Sequence, residues 1–162
     1  MITPKILAEA FYNNVEIVKM QAAGLSQADS LVQLPFRANC FNWVVGHLVS
    51  NRRTVLKLLG DEQTIDGTLI AHYEYDSKPI TGEGEGVLPL DQLIDLLDLA
   101  QAQIAQRLAA ITDDELAQPL SVFGGKERTL GEWVFFFYFH DCYHTGQTEM
   151  LRQAAGKDDK II

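Results

Sequence analysis

Apolar residues recur along this chain at spacings of three and four, the period of a helix buried on one side. The first such stripe is Leu7, Phe11, Asn14, Val18 and Ala22, interrupted once by a polar residue. Thr3 and Pro4 precede it as a cap and a first-turn proline, and Gly24 follows as a left-handed stop before apolar Leu25. A second helix is predicted from a cap at Asn39 to about Leu59, with Phe41, Val44, Val45, Leu48, Val55 and Leu59 inward and Gly60 ending it. A third starts near Pro89 and carries Leu90, Leu93, Leu97, Ala100, Ile104, Leu108 and Ile111 on one face. The fourth has the strongest start, the capping box Thr129-Leu-Gly-Glu132, and runs to about Ala155 before Gly156. Its stripe is Trp133, Phe137, His140, His144, Gln147 and Leu151.

The stretches between are of two kinds. Residues 61–88 hold Gly67, Pro79, Gly82, Gly84 and Gly86 and little periodicity, with a short helical turn expected near Leu69 to Tyr73. A loop of this length in a compact domain is usually functional or mobile. Thr112-Asp-Asp-Glu115 reads as a capping box for one extra turn, and residues 118–127 as a turn or small hairpin around Gly124-Gly125. No strong strand pattern and no repeat is found. The fold class is all-α, a four-helix bundle with a long irregular crossing between its second and third helices. Residues 1–156 are read as one domain and 157–162 as a tail.

Composition narrows the function. Hydrophobic residues make up 47%, enough for a core, and no apolar run approaches the ~20 residues of a membrane span. The first residues show no basic region followed by a long apolar stretch, so no signal peptide is expected. Cys40 and Cys142 form no disulfide-scaffold pattern and are expected as reduced thiols in a cytoplasmic protein. Thirteen Lys and Arg against 22 Asp and Glu give a net charge of −9, which repels phosphate backbones and argues against a nucleic-acid partner.

Chemistry concentrates in the histidines. His140 and His144 stand one turn apart on the inward stripe of the fourth helix, where two imidazoles can share a metal ion. The residues alone leave the third ligand open. His47 sits at the edge of the second helix's apolar face, beside Val44 and Asn51, and could reach sideways; His72 lies in the crossing and reads as a solvated loop residue. Gly46 beside His47 and Gly146 after His144 each cost roughly 1 kcal/mol in a helix, which points to close packing or to room for a ligand. Cys142 lies ~160–200° around the helix from the two histidines and is no candidate for the same ion. Asp141 and Gln147, each three residues from His144, are candidates to orient an imidazole. The aromatic run Trp133 to Phe139 is apolar all round, which suits either a fully covered helix or a dimer interface on its outer face.

Other chemistries lack their residues. A zinc-protease His-Glu-x-x-His would need glutamate where Asp141 stands, and a di-iron bundle would need Glu-x-x-His pairs that the chain does not contain. No nucleophile elbow, phosphate loop or dinucleotide fingerprint is present.

A histidine in the second helix followed by His140-x-x-x-His144-x-Gly146-Gln147 on the fourth resembles the DinB-like superfamily, and the likeness in length and helix order spans nearly the whole chain. That resemblance implies an up-down-down-up bundle, usually a homodimer, holding a divalent metal such as zinc or nickel on His47, His140 and His144. It also implies relatives that are metal-dependent thiol transferases, activating a low-molecular-weight thiol such as bacillithiol, mycothiol or glutathione; the function expected here is S-transfer to a small-molecule electrophile or, with water, hydrolysis. The alternative within the same family is a metal-binding or stress-related bundle without turnover. No motif identifies the thiol or the electrophile.

Overall fold

The structure is a computed structural model that describes residues 3–122 and 124–161. Among the described residues the elements in chain order are α1 (Pro4–Ala22), α2 (Gln27–Ser30), α3 (Phe41–Leu58), a 3-10 turn (Ala71–Tyr73), α4 (Leu90–Ala110), α5 (Asp113–Leu116), β1 (Pro119–Val122), β2 (Lys126–Thr129) and α6 (Leu130–Ala154). α1, α3, α4 and α6 form the bundle. α2 was not expected from the sequence. It is a single turn made by a capping box in which aspartate takes the usual place of glutamate: Ser26 accepts from the Asp29 N–H, and Asp29 accepts from the Ser26 N–H.

The caps read from the sequence are mostly those observed. The Thr3 side chain accepts from Ile6 at the start of α1, and Thr129 and Glu132 close the box that begins α6. α3 differs by one residue: Cys40, not Asn39, is its N-cap, and Cys40 makes no side-chain capping bond. Gly24, Gly60 and Gly156 follow α1, α3 and α6 with positive φ, which fits their reading as helix stops. β1 and β2 pair antiparallel as the two arms of a hairpin, Pro119 opposite Thr129 and Val122 opposite Lys126. The Trp133 indole donates to its Leu120 carbonyl at 3.2 Å, fixing the hairpin against α6.

Side-chain pairs give the direction of each helix. Asn14 meets Asp141 while Arg152 reaches the Gln21 carbonyl, so α1 and α6 run parallel. Gln27 of α2, just past the far end of α1, donates to the Leu88 carbonyl and accepts from the Leu90 N–H, so α4 runs against α1. Asn42 bonds the Leu88 carbonyl and Arg52 bonds Gln101, so α3 and α4 are parallel. His47 faces His144 and Arg52 faces Asp141, so α3 opposes α6. The order is up, down, down, up.

Parallel α3 and α4 explain the long crossing. The chain leaves α3 at one end and must re-enter at the other, a return of about 27 Å for 18 residues at 1.5 Å each. The segment does this as a packed strap, with Ile65, Ile70, Tyr73, Ile80 and Leu88 buried in the common core. No helix among the described residues is long and apolar enough to cross a membrane.

At the centre lies a buried polar network. The side chains of Arg52 and Asp141 are each 1% exposed and pair at 2.7 Å. Arg52 also donates to the Phe11 carbonyl at 2.9 Å and to Gln101 Oε1 at 2.8 Å, while Gln101 donates to the Ala8 carbonyl at 3.1 Å. One guanidinium thus ties α3 to α1, α4 and α6.

Candidate metal centre

α3 and α6 cross where each turns an imidazole inward. His47 comes from the middle of α3, and His140 and His144 come from successive turns of α6. One nitrogen from each ring lies within 4.8 Å of those of the other two. Ring centroids are 4.7 Å apart for His47 and His144, 5.4 Å for His47 and His140, and 4.6 Å for His140 and His144. His47 and His144 are buried and His140 half-buried.

Two of the rings are oriented by acceptors. His47 Nδ1 lies 2.7 Å from the Tyr73 carbonyl oxygen, which can only accept. Nδ1 therefore carries the proton, and Nε2 keeps its lone pair. His144 Nδ1 lies 2.8 Å from Gln147 Oε1, with the same consequence. A ligating imidazole is usually held this way, by an acceptor on its other nitrogen. His140 Nδ1 is buried without a hydrogen-bond partner among the described residues, a costly state for a polar atom unless something else meets the ring.

Burial depresses the basicity of all three. His144 is pushed down to about 4, first by loss of hydration and then by its histidine neighbours, against the opposing Gln147 bond. Burial also lowers His47 and His140. At neutral pH the cluster presents uncharged nitrogen donors, the form a metal requires. No carboxylate belongs to it, and three imidazoles suit zinc, nickel, copper or iron. The trio could hold a metal ion.

The surroundings are aromatic. Trp43 stacks on His47 with centroids 4.5 Å apart and planes at 14°, and its Nε1–H donates to Ser77 Oγ of the strap. The Tyr143 ring meets His144 edge-on at 5.1 Å, and Phe136 lies 6.4 Å from His140.

The structure separates the other expected residues. Gln147 orients an imidazole; Asp141 does not, because its carboxylate is taken by Arg52 of α3 and Asn14 of α1. Cys142 faces Asn14 of α1, away from the histidines, and both cysteines are unpaired. His72 is exposed, as expected, but it stands in the 3-10 turn Ala71–Tyr73 rather than in a loop. The two glycines part ways. Gly46 lets the Tyr73 ring lie against α3, where any Cβ would overlap it; a Cβ on Gly146 would meet nothing within 4 Å. Close packing explains the first and not the second. The sequence reading missed the Tyr73 carbonyl and the Trp43 ring. A backbone acceptor has no residue signature, but Gly46 beside His47 marked the place where another segment approaches.

Comparison with known proteins agrees with this architecture. The structure resembles the crystal structure of a conserved protein from Enterococcus faecalis with a TM-score of 0.75 and 14% identity, over 96% of this chain and 98% of that one. Such low identity speaks to the fold alone. No curated protein matches the sequence. The family model of the DinB superfamily matches residues 19–148, a span that begins late in α1 and takes in all three histidines. Covering most of the chain, that match places the protein in the DinB superfamily.

Proposed function

We propose that this protein binds a divalent metal ion on His47, His140 and His144 and is a metal-dependent thiol transferase or hydrolase acting on a small electrophile. The observation that carries the reading is the convergence of three neutral imidazole nitrogens within 4.8 Å, two of them with Nδ1 held by an acceptor. A metal held by these three imidazoles would supply Lewis acidity, lowering the pKa of a thiol or water beside it. The protein's own residues do the rest. The Tyr73 carbonyl and Gln147 fix the ring tautomers. Burial keeps protons from competing for the ring nitrogens. Trp43 covers one face of His47 and excludes water there. In transfer, the thiol gives up its proton, its sulfur bonds to the electrophilic carbon, and the leaving group departs with its electron pair and takes up a proton equivalent. In hydrolysis, water takes the place of the thiol.

The test is elemental analysis of protein purified without a histidine tag. About one equivalent of metal is expected, restorable with zinc or nickel after chelation and lost in His47→Ala and His144→Ala. A content near zero that neither ion restores ends this reading. Metal-loaded protein should then accelerate conjugation of a low-molecular-weight thiol with an electrophile. Full metal content with no turnover across several thiols and electrophiles would leave a metal-binding protein without catalysis.

A further inference from the structure

The three imidazoles are not anchored alike. His47 is 5% exposed, stacks on Trp43 with centroids 4.5 Å apart and meets the Tyr73 carbonyl through Nδ1 at 2.7 Å. His144 is 8% exposed and meets Gln147 Oε1 through Nδ1 at 2.8 Å. His140 is only half-buried, and no hydrogen bond among the described residues reaches either of its ring nitrogens. Packing alone positions it.

The local sequence shows why. On a helix a side chain reaches the residues three and four positions away. His144 finds an acceptor there because Gln147 stands three residues on. The same position after His140 is Tyr143, whose ring turns edge-on to His144 at 5.1 Å. Phe136 and Phe137, four and three residues before His140, carry no acceptor oxygen, and the fourth residue on is His144 itself. Asp141 is adjacent in sequence, but its carboxylate is taken by Arg52 and Asn14. His140 Nδ1 is buried all the same, so bulk water does not supply the missing partner.

An acceptor on the second nitrogen fixes a ligating ring and raises its basicity, and loss of such a partner costs about 10–100-fold in metal affinity. His47 and His144 have that support and His140 lacks it. We propose, on the footing of the metal-binding function above, that His140 is the exchangeable ligand of the trio: His47 and His144 keep the ion, and His140 yields its place to an incoming thiol sulfur, whose proton passes to solvent. The His140 ring borders the partly exposed Phe136, so turning aside carries it toward solvent and not into the core. No hydrogen bond within the protein has to break when it moves.

The test uses the full-length protein without a tag, with zinc affinity measured by competition against a chromophoric chelator. His140→Ala is expected to lose about 10–100-fold less affinity than His47→Ala or His144→Ala. Tyr143→Gln sets an acceptor three residues after His140, as Gln147 stands to His144, at an exposed position that leaves the core untouched. It should tighten zinc binding about tenfold or more. In the cobalt-loaded form, the visible spectra of wild type and His140→Ala should differ. Saturating 2-mercaptoethanol should make them coincide, because the ring is then off the ion in both. Three equal losses, no gain from Tyr143→Gln, or spectra that stay apart in the thiol would each overturn the proposal while leaving metal binding in place. Wild type that takes up neither zinc nor cobalt would overturn both.

Discussion

Arg52 joins all four bundle helices through one side chain. It is a cation sealed in the core, and its charge is tolerable because Asp141 meets it at 2.7 Å while the Phe11 carbonyl and Gln101 Oε1 each accept a further bond. Removing one partner strands the other, so Arg52→Met or Asp141→Asn should each cost about 3–5 kcal/mol in urea unfolding. Replacing both with apolar residues should recover part of that loss, since no buried charge is left. Single variants within about 1 kcal/mol of wild type would show that the pair does not hold the four helices. The histidines behave differently because burial keeps them neutral. His144 is pushed to about 4 in the folded chain, against about 6.5 when unfolded. As pH falls, the unfolded state therefore takes up the proton first. The stability contributed by the neutral ring is full above pH about 6.5 and drains away as pH falls toward 4. Chelated protein should show that decline in its urea midpoint, and His144→Gln should flatten it. A midpoint that does not move between pH 7 and 5 would contradict it. The histidine pair on α6 was visible from spacing, because two imidazoles on an apolar stripe need an explanation. Arg52 left the same sort of trace, a charge in step with Leu48 and Val55, but a charge names its counter-ion only once the helices are docked.

Elements matter here through how closely they approach. Gly46 brings the strap against α3, and the Tyr73 ring it admits is pinned at its far end. The Tyr73 hydroxyl donates to Asn42 Oδ1 at 3.0 Å and accepts from the Leu88 N–H at 2.7 Å. Its carbonyl meanwhile holds His47. A methyl at position 46 has no pliant neighbour to push, so Gly46→Ala should cost about 1–3 kcal/mol despite alanine's better helix propensity. By displacing the acceptor on His47 it should also weaken metal binding about 10- to 100-fold. Gly146→Ala is the control. Open space awaits its methyl, and it should gain up to about 1 kcal/mol with metal affinity unchanged. Calorimetric metal titration with thermal unfolding separates the two; equal effects at both positions would rule out the strap as the reason for Gly46. Helix starts were legible because Thr3, Thr112 and Thr129 are read locally, residue by residue. The strap was legible only as an irregular segment. Its burial of Ile65, Ile70 and Tyr73 follows from parallel α3 and α4, a relation between elements that no local pattern encodes.

At the scale of the molecule, the outer face of α6 is unfinished. Phe135, Phe136, Phe139, Tyr143 and Met150 are exposed along it, Phe139 by 64% and Tyr143 by 61%. The sequence left open whether the aromatic run meant a central helix or an interface, and a helix at the centre would have no such face. A strip of this kind along a whole helix is more apolar than a solitary surface needs to be, and on a monomer it would promote association. A second copy is the occupant that needs no further assumption: a two-fold axis beside Phe139 and Tyr143 would set the same strip against itself. The strip also borders the histidines, through Phe136 on His140 and Tyr143 on His144. The partner would then form part of the wall around the histidine trio. Phe139→Lys places a charge at the middle of the strip, on a side chain whose exposure leaves the core untouched. In sedimentation at about 10 µM, wild type is expected as a dimer and the variant as a monomer, because a lysine pair on the axis would bury two like charges. The variant should bind metal as wild type does, since no candidate ligand moves, and in the proposed transfer reaction it should raise KM for the electrophile more than it lowers kcat. Wild-type protein that sediments as a monomer would return the strip to solvent and confine the site to α3, α6 and the strap.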